Sequence, residues 1–185
     1  MLSGDVNPSG RLTVSFPRCV GQIPIHYNHK NTGRPGGDFQ PYKKYISLYQ
    51  DVVNAPLYPF GYGLSYGKVK YSDLRLSASK AAIGEKITVS VKLENTSGRD
   101  ITETVQLYIR DKVGSITRPV KELKGFRQVC VKAGSGMTVE LELDSSKLGF
   151  YNSDLKYVVE PGEFEIMVGP SSDSRSLLCS SFVLE

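Results

Sequence analysis

Lys86-Ile87-Thr88-Val89-Ser90-Val91-Lys92-Leu93 is the stretch that decides the fold class of this chain. Apolar and polar residues alternate without a break. A strand sends successive side chains to opposite faces, so this octet has one core face and one wet face. The same pattern recurs downstream. Val105, Leu107 and Ile109 alternate with Thr104, Gln106 and Tyr108. Val139, Leu141 and Leu143 alternate with Glu140 and Glu142, and Phe164, Ile166 and Val168 with Glu163, Glu165 and Met167. Half-solvated alternation predicts antiparallel sheets rather than a parallel sheet buried on both sides.

Turn chemistry separates these runs: Asn95-Thr96-Ser97-Gly98, Lys132-Ala133-Gly134-Ser135-Gly136 and Glu160-Pro161-Gly162. Further strands are expected near 70–79, 120–131, 155–160 and 176–184. Seven or eight short strands within 69–185 make an all-β, two-sheet antiparallel sandwich of immunoglobulin or fibronectin type III kind. The chain has no Trp, so it lacks the Trp of an antibody-type core.

Residues 1–68 read differently, as a mostly irregular N-terminal extension. Arg11-Leu12-Thr13-Val14-Ser15-Phe16 is expected to form one strand closed by Pro17, and Ile23-Pro24-Ile25 a short edge piece. One or two strands without partners cannot form a core, so this segment needs another surface to lie on. Seven of the eleven tyrosines fall between Tyr42 and Tyr71. The string Leu57-Tyr58-Pro59-Phe60-Gly61-Tyr62-Gly63-Leu64-Ser65-Tyr66 joins the two parts. Pro59, Gly61 and Gly63 set a tight backbone path that lets the string approach a neighbour closely. Tyr58, Phe60, Tyr62 and Tyr66 are therefore read as a domain-packing linker. The rival reading makes the linker tyrosines a carbohydrate-binding platform. A further rival, an adhesion or chaperone-like sandwich, has only the fold behind it.

The net charge of +4 lies wholly in residues 1–68, which hold seven Lys/Arg against three Asp/Glu. A basic stripe on the folded domain, the footprint of a nucleic-acid binder, is missing. No apolar run approaches the ~20 residues that span a bilayer, and no signal-peptide core follows Met1. Cys19, Cys130 and Cys179 are too few for a disulfide framework and no pairing among them is selected; Cys130 and Cys179 sit in strand-like runs and are expected as small buried hydrophobes. The Gly33/Gly36/Gly37 cluster has no following Lys-Ser/Thr and reads as a loop, not a phosphate cradle. His26 and His29 lack further ligands for a metal and read as loop residues. Asn95-Thr96-Ser97 matches a glycosylation sequon within a turn. Most Glu residues lie on the wet faces of strands. No catalytic residue, cofactor or metal ligand is assigned.

Particular strings carry a resemblance. Gly4-Asp5-Val6-Asn7-Pro8-Ser9-Gly10-Arg11-Leu12 with Ser15-Phe16-Pro17 resembles the end of the α/β domain of glycoside hydrolase family 3 enzymes. Asn31-Thr32-Gly33-Arg34-Pro35 and the Leu57-to-Tyr66 string are similar to the linker that follows there. Arg118-Pro119-Val120-Lys121-Glu122-Leu123-Lys124-Gly125-Phe126 and Val159-Glu160-Pro161-Gly162-Glu163-Phe164 resemble the family's C-terminal fibronectin type III-like domain. Thr13 departs from the family, which usually has Pro there. The resemblance runs in order through the chain and is nearest to the bacterial periplasmic β-glucosidase and β-xylosidase type. It implies a parent that hydrolyses β-linked glucosides or xylosides with retention, in the periplasm or outside the cell. The family's nucleophile and acid/base lie on a TIM barrel and earlier in the α/β domain, outside these residues. The resemblance therefore implies a non-catalytic structural module whose partners are those two domains, with saccharide contact only where a loop reaches the active-site rim. Residues 1–68 would be the α/β tail plus linker, and 69–185 the fibronectin type III-like domain. Without the parent's surface, Phe60→Ala is expected to be nearly silent.

Overall fold

The computed structural model describes residues 1–185. Seven long strands build the sandwich: β1 (Val69–Leu76), β3 (Lys86–Asn95), β4 (Ile101–Asp111), β5 (Glu122–Val131), β6 (Gly136–Asp144), β9 (Gly162–Gly169) and β10 (Leu178–Leu184). Two-residue strands β2 (Lys80–Ala81), β7 (Phe150–Tyr151) and β8 (Tyr157–Val158) complete the set. One sheet has the order β1-β3-β6 and the other β2-β10-β9-β4-β5, while β7 and β8 form a separate ribbon. Every pairing is antiparallel except that of β2 with β10.

The two sheets face each other through the apolar sides of their alternating runs. Ile87, Val89, Val91 and Leu93 of β3 and Val139, Leu141 and Leu143 of β6 meet Val105, Leu107 and Ile109 of β4 and Phe164, Ile166 and Val168 of β9. Phe164 stacks on Phe182 of β10 with ring centroids 5.5 Å apart. In β3 the polar alternates stay at the surface, as the pattern requires.

The central strands of the larger sheet break that pattern. On β4, Gln106 and Tyr108 belong to the polar side of the alternation, yet Tyr108 is fully buried and Gln106 only 3% exposed. Met167 on β9 is buried as well. The cover comes from residues 1–66, which return across the outer face of this sheet. The surface that the extension needs is thus supplied by its own chain. Val120 N donates to His29 O at 2.9 Å, Ser172 N to Phe60 O at 2.9 Å, and Asn7 Nδ2 to Asp100 O at 3.0 Å.

Two expected strands do not form. Residues 11–16 make one isolated bridge, Phe16 with Tyr58, and a second contact in which Leu12 N donates to Tyr62 O at 2.8 Å. Between these points Pro59 has no N–H and Gly61 takes φ +79°, so no ladder can run through. Residues Val20–Gln22 wind into a 3-10 turn and Ile23-Pro24-Ile25 joins no sheet. Its buried Gln22 instead donates through Nε2 to Val53 O at 2.8 Å, tying the loop together from within.

The cysteine expectation is also corrected. All three thiols are free, and Cys130 and Cys179 are exposed. On β10 the core side is taken by Phe182 and Leu184, so strand parity turns Cys179 outward. On β5 the buried Val131 leaves Cys130 on the outer side.

Candidate functional site

The aromatic string packs where the extension meets β4. Phe60 stacks on Tyr27 with centroids 4.3 Å apart and planes 20° apart, and Tyr27 in turn meets Tyr108 edge-on at 5.8 Å. Such arrangements are favoured by the ring quadrupole. Gln106 locks the backbone beside them. Its Nε2 donates to Gly61 O at 3.1 Å and to Pro170 O at 2.6 Å, and its Oε1 accepts from Tyr108 Oη at 2.5 Å. Gly61 is required here: a Cβ at that position would fall 2.0 Å from Gln106 Oε1. Burial pushes the Tyr108 hydroxyl far above its ordinary range, so it remains a donor.

The other linker aromatics lie nearer the surface. Tyr58 and Tyr62 pack on each other at 5.1 Å with planes tilted by 33°, and Tyr58 meets Phe16 edge-on at 6.3 Å. Tyr66 is exposed, donates from its hydroxyl to Met1 O at 2.8 Å, and lies under the Arg99 guanidinium at 5.9 Å. The structure therefore brings Tyr58, Phe60 and Tyr62 into one seam and sets Tyr66 apart from it.

A buried charged strut crosses from the extension to both sheets. Arg11 Nη2 donates to Glu103 Oε2 of β4 at 3.0 Å, and Tyr71 Oη of β1 donates to Glu103 Oε1 at 2.9 Å. Arg11 and Glu103 side chains are only 11% and 6% exposed. Burial, reinforced by the neighbouring Glu103 charge, holds the Tyr71 hydroxyl protonated well beyond its usual range.

Alongside the seam lies a cleft of about 910 Å³, walled by the extension on one side and by β4, β9 and β10 on the other. Lys121 reaches into it, nine-tenths buried, and donates from Nζ to Ser172 O at 2.6 Å. Burial lowers the affinity of this amine for its proton. Asp173 is committed to structure: it caps the 3-10 turn Ser174–Ser176 and binds Arg175 Nη2 at 2.7 Å. The hydrogen bonds from Arg175 hold its carboxyl below the usual range, opposite to what a general acid at neutral pH requires. His26 and His29 are exposed loop residues at the rim.

The sequon is structural. Asn95 is fully buried, with Nδ2 donating to Arg99 O at 2.7 Å and Val131 O at 3.0 Å, and Oδ1 accepting from Ser97 N at 2.9 Å. Glycan transfer to the folded chain is therefore expected to fail, and intact-mass analysis after expression in a glycosylating host checks this. Asn95→Ala would remove the side-chain donor of the buried Val131 O and the part-buried one of Arg99 O, at about 1–3 kcal/mol for a buried group left unpaired, and so should be destabilising.

Gln106, Tyr27, Arg11, Glu103 and Lys121 were not singled out as site residues from sequence. Each sits in a pattern with an ordinary surface explanation, and its role appears only when chain segments tens of residues apart meet. For Arg11 and Glu103 the one available signal was a lone charge on an otherwise apolar or core-facing run.

Comparison with known proteins accounts for this arrangement. Residues 1–66 match the glycosyl hydrolase family 3 C-terminal domain, and residues 103–172 match a fibronectin type III-like domain. A periplasmic beta-glucosidase of Salmonella typhimurium is 47% identical over 172 residues, covering 93% of this chain and 22% of that protein. A beta-xylosidase of Formosa agariphila is 40% identical over 185 residues, covering 100% of this chain and 24% of that protein. The beta-glucosidase of Listeria innocua, solved in complex with glucose, superposes with a TM-score of 0.92 at 42% identity, over 99% of this chain and 25% of that one. The chain thus spans about a quarter of the length of the relatives it matches.

Proposed function

Since this chain belongs to glycoside hydrolase family 3, as the C-terminal region of that architecture, we propose that it is a non-catalytic structural module of a β-glycosidase. The parent would hydrolyse β-glucosides or β-xylosides, in the periplasm or outside the cell as the name of the Salmonella relative indicates for that protein. The partners would be the family's barrel and the rest of its α/β domain.

One observation carries the reading. Fifteen of the twenty-two large apolar residues left exposed fall within residues 1–66, among them Leu2, Val20, Ile23, Tyr45 and Leu64. Scattered exposed apolar residues are ordinary, but their concentration in one segment supports a segment covered by other parts of the parent. The hydrogen bonds of that segment to the sandwich would hold it in place for such a contact. Tyr58, Phe60, Tyr62 and Tyr66 then serve packing: Phe60 inward, Tyr58 and Tyr66 at the exposed edge.

The purified chain is expected to show no turnover of an aryl β-glucoside or β-xyloside. Hydrolysis that disappears on a single Asp or Glu substitution would overturn the non-catalytic reading.

Phe60→Ala gives a second check. Its stacking partner Tyr27 lies in this chain, so a loss of stability is expected for the chain in isolation as well. Phe60 is half-buried, so the loss should fall below that of a fully enclosed Phe, at about 2 kcal/mol. Urea unfolding of the 185-residue chain measures it.

A further inference from the structure

We propose that residues 31–52 form a hinged lid over the cleft, latched to the sandwich where Asp38 and Phe39 meet Ser174 and Arg175, and that release of this latch exposes the Lys121 amine while the sandwich stays folded. Two firm anchors bound the lid. On one side Val120 N donates to His29 O at 2.9 Å and Lys30 bridges Pro119, beside the stack of Tyr27 on Phe60. On the other, Ala55 is 2% exposed and its carbonyl accepts from Arg18 Nε at 3.1 Å, while Val53 O accepts from Gln22 Nε2 at 2.8 Å. Between the anchors no residue is buried, and nothing more regular than an isolated bridge forms. Segments with so little buried surface open at a small fraction of the cost of global unfolding.

The lid is bonded within itself. Ser47 N donates to Arg34 O at 2.9 Å and Thr32 Oγ1 to Ser47 Oγ at 2.8 Å, so the segment can move as a unit. Its polar attachment to the sandwich is confined to one corner. Ser174 Oγ donates to Asp38 Oδ2 at 2.9 Å, and the Arg175 guanidinium lies over the Phe39 ring at 3.8 Å. Asp173 holds Arg175 for that contact, accepting from its Nη2 at 2.7 Å. Asp38 O also accepts from Ala55 N at 2.8 Å, which ties the same corner to the anchor. The Arg175 side chain is 66% exposed, so its hold on Phe39 is of the weak, solvent-facing kind. Behind the latch lies the cleft of about 910 Å³, lined by Gly36, Gly37, Asp38 and Phe39 of the lid and by Lys121 of the sandwich. A lid with a cleft of this size beneath it rests on its rim and gains no close packing from the floor. Lys121 is 9% exposed and its Nζ donates to Ser172 O at 2.6 Å, next to the turn that carries the latch. Withdrawal of the Asp38 corner from Ser174 therefore uncovers this amine.

The test is site-resolved acetylation of the 185-residue chain with N-hydroxysuccinimidyl acetate, read by peptide mass spectrometry. The amine nitrogen takes the acetyl group, and its proton leaves with N-hydroxysuccinimide. Exposed Lys70 and Lys156 are the references. Lys121 of the unaltered chain should react at least about tenfold more slowly than they do, as for a group reached only through a minor conformation. Phe39→Ala removes the ring and leaves the pair of Asp173 with Arg175 in place; Arg175→Ala removes the cation. Each should raise the Lys121 rate by roughly two- to fivefold, the weight of one exposed cation–π contact. The double substitution should do no more than the stronger single, because both remove the same contact. The Ala55 amide, bonded to Asp38 O, should exchange faster by a similar factor, while the amides of β4 and β9 keep their protection. The proposal is overturned if Lys121 of the unaltered chain reacts as fast as Lys70 and Lys156, or if its rate is unchanged in both variants. It is equally overturned if β4 and β9 lose protection in step with Ala55, since Lys121 is then reached by unfolding of the sandwich and not by the lid.

Discussion

Arg11→Ala is expected to destabilise the 185-residue chain by about 3 kcal/mol, because it strands a buried carboxylate. Arg11 is the cationic partner of Glu103 at 3.0 Å, and the two side chains are 11% and 6% exposed. Tyr71 would still donate to Glu103, but a neutral hydroxyl cannot compensate a full charge removed from water. One atom works against the estimate. Arg11 Nε is buried without a hydrogen-bond partner, so its removal returns part of the loss. The signature is therefore best read from a pair of substitutions. Glu103→Gln alone leaves Arg11 without its countercharge and should also destabilise. Arg11→Ala with Glu103→Gln removes both charges, and should be less destabilised than the sum of the two singles by at least about 1 kcal/mol. Urea unfolding of the four proteins measures the cycle. Additive effects within error would show that the pair is not coupled.

Gly61→Ala is expected to be at least as damaging, at about 4 kcal/mol, from two sources that can be separated. The first is backbone: Gly61 sits at φ +79°, a conformation that costs a residue with a Cβ about 1–3 kcal/mol. The second is space. The new Cβ would lie 2.0 Å from Gln106 Oε1. Moving that amide breaks its bonds to Gly61 O, Pro170 O and the Tyr108 hydroxyl in a buried setting, at about 1–3 kcal/mol for each group left unpaired. Gly134 provides the control. It has φ +64° and open space around its Cα, so Gly134→Ala meets only the backbone cost. Equal losses at the two positions would show that Gln106 yields freely and does not lock the linker. Hydrogen exchange on Gly61→Ala should also show the amides of Leu12, Phe16 and Ser172 losing protection together, since each bonds to the string from Tyr58 to Tyr62.

The sandwich was legible because its strands are long and their patterns regular. In β3 and β6 the two faces differ in chemistry at nearly every step, and the register Val89 with Leu141 and Val91 with Val139 follows from putting all apolar residues on one side. The aromatic string was read as a packing segment from tyrosines between Pro and Gly, and within this chain its Phe60 stacks on Tyr27. The seam itself was not legible. Gln22 and Gln106 are residues that serve equally well on a surface, and they become buried only because partners from distant parts of the chain satisfy their polar atoms, while Tyr27 is half-buried between Phe60 and Tyr108. Residues 11–16 show the reverse failure. Their alternation is that of a strand, but the only available partner contains Pro59 and the left-handed Gly61, so pairing stops after two contacts.

By itself, then, the sequence determined the strands, the turns between them and the inner face of each sheet, because period-two alternation of apolar and polar side chains is a local property that survives without knowledge of neighbours. Tertiary structure alone decided what happens to the outer face. Whether Gln106, Tyr108, Met167 and Lys121 meet water or protein depends on where residues 1–66 lie. That is set by a few contacts of long sequence separation, Arg11 with Glu103 and Gly61 with Gln106, whose energy is realised only after the chain has closed upon itself.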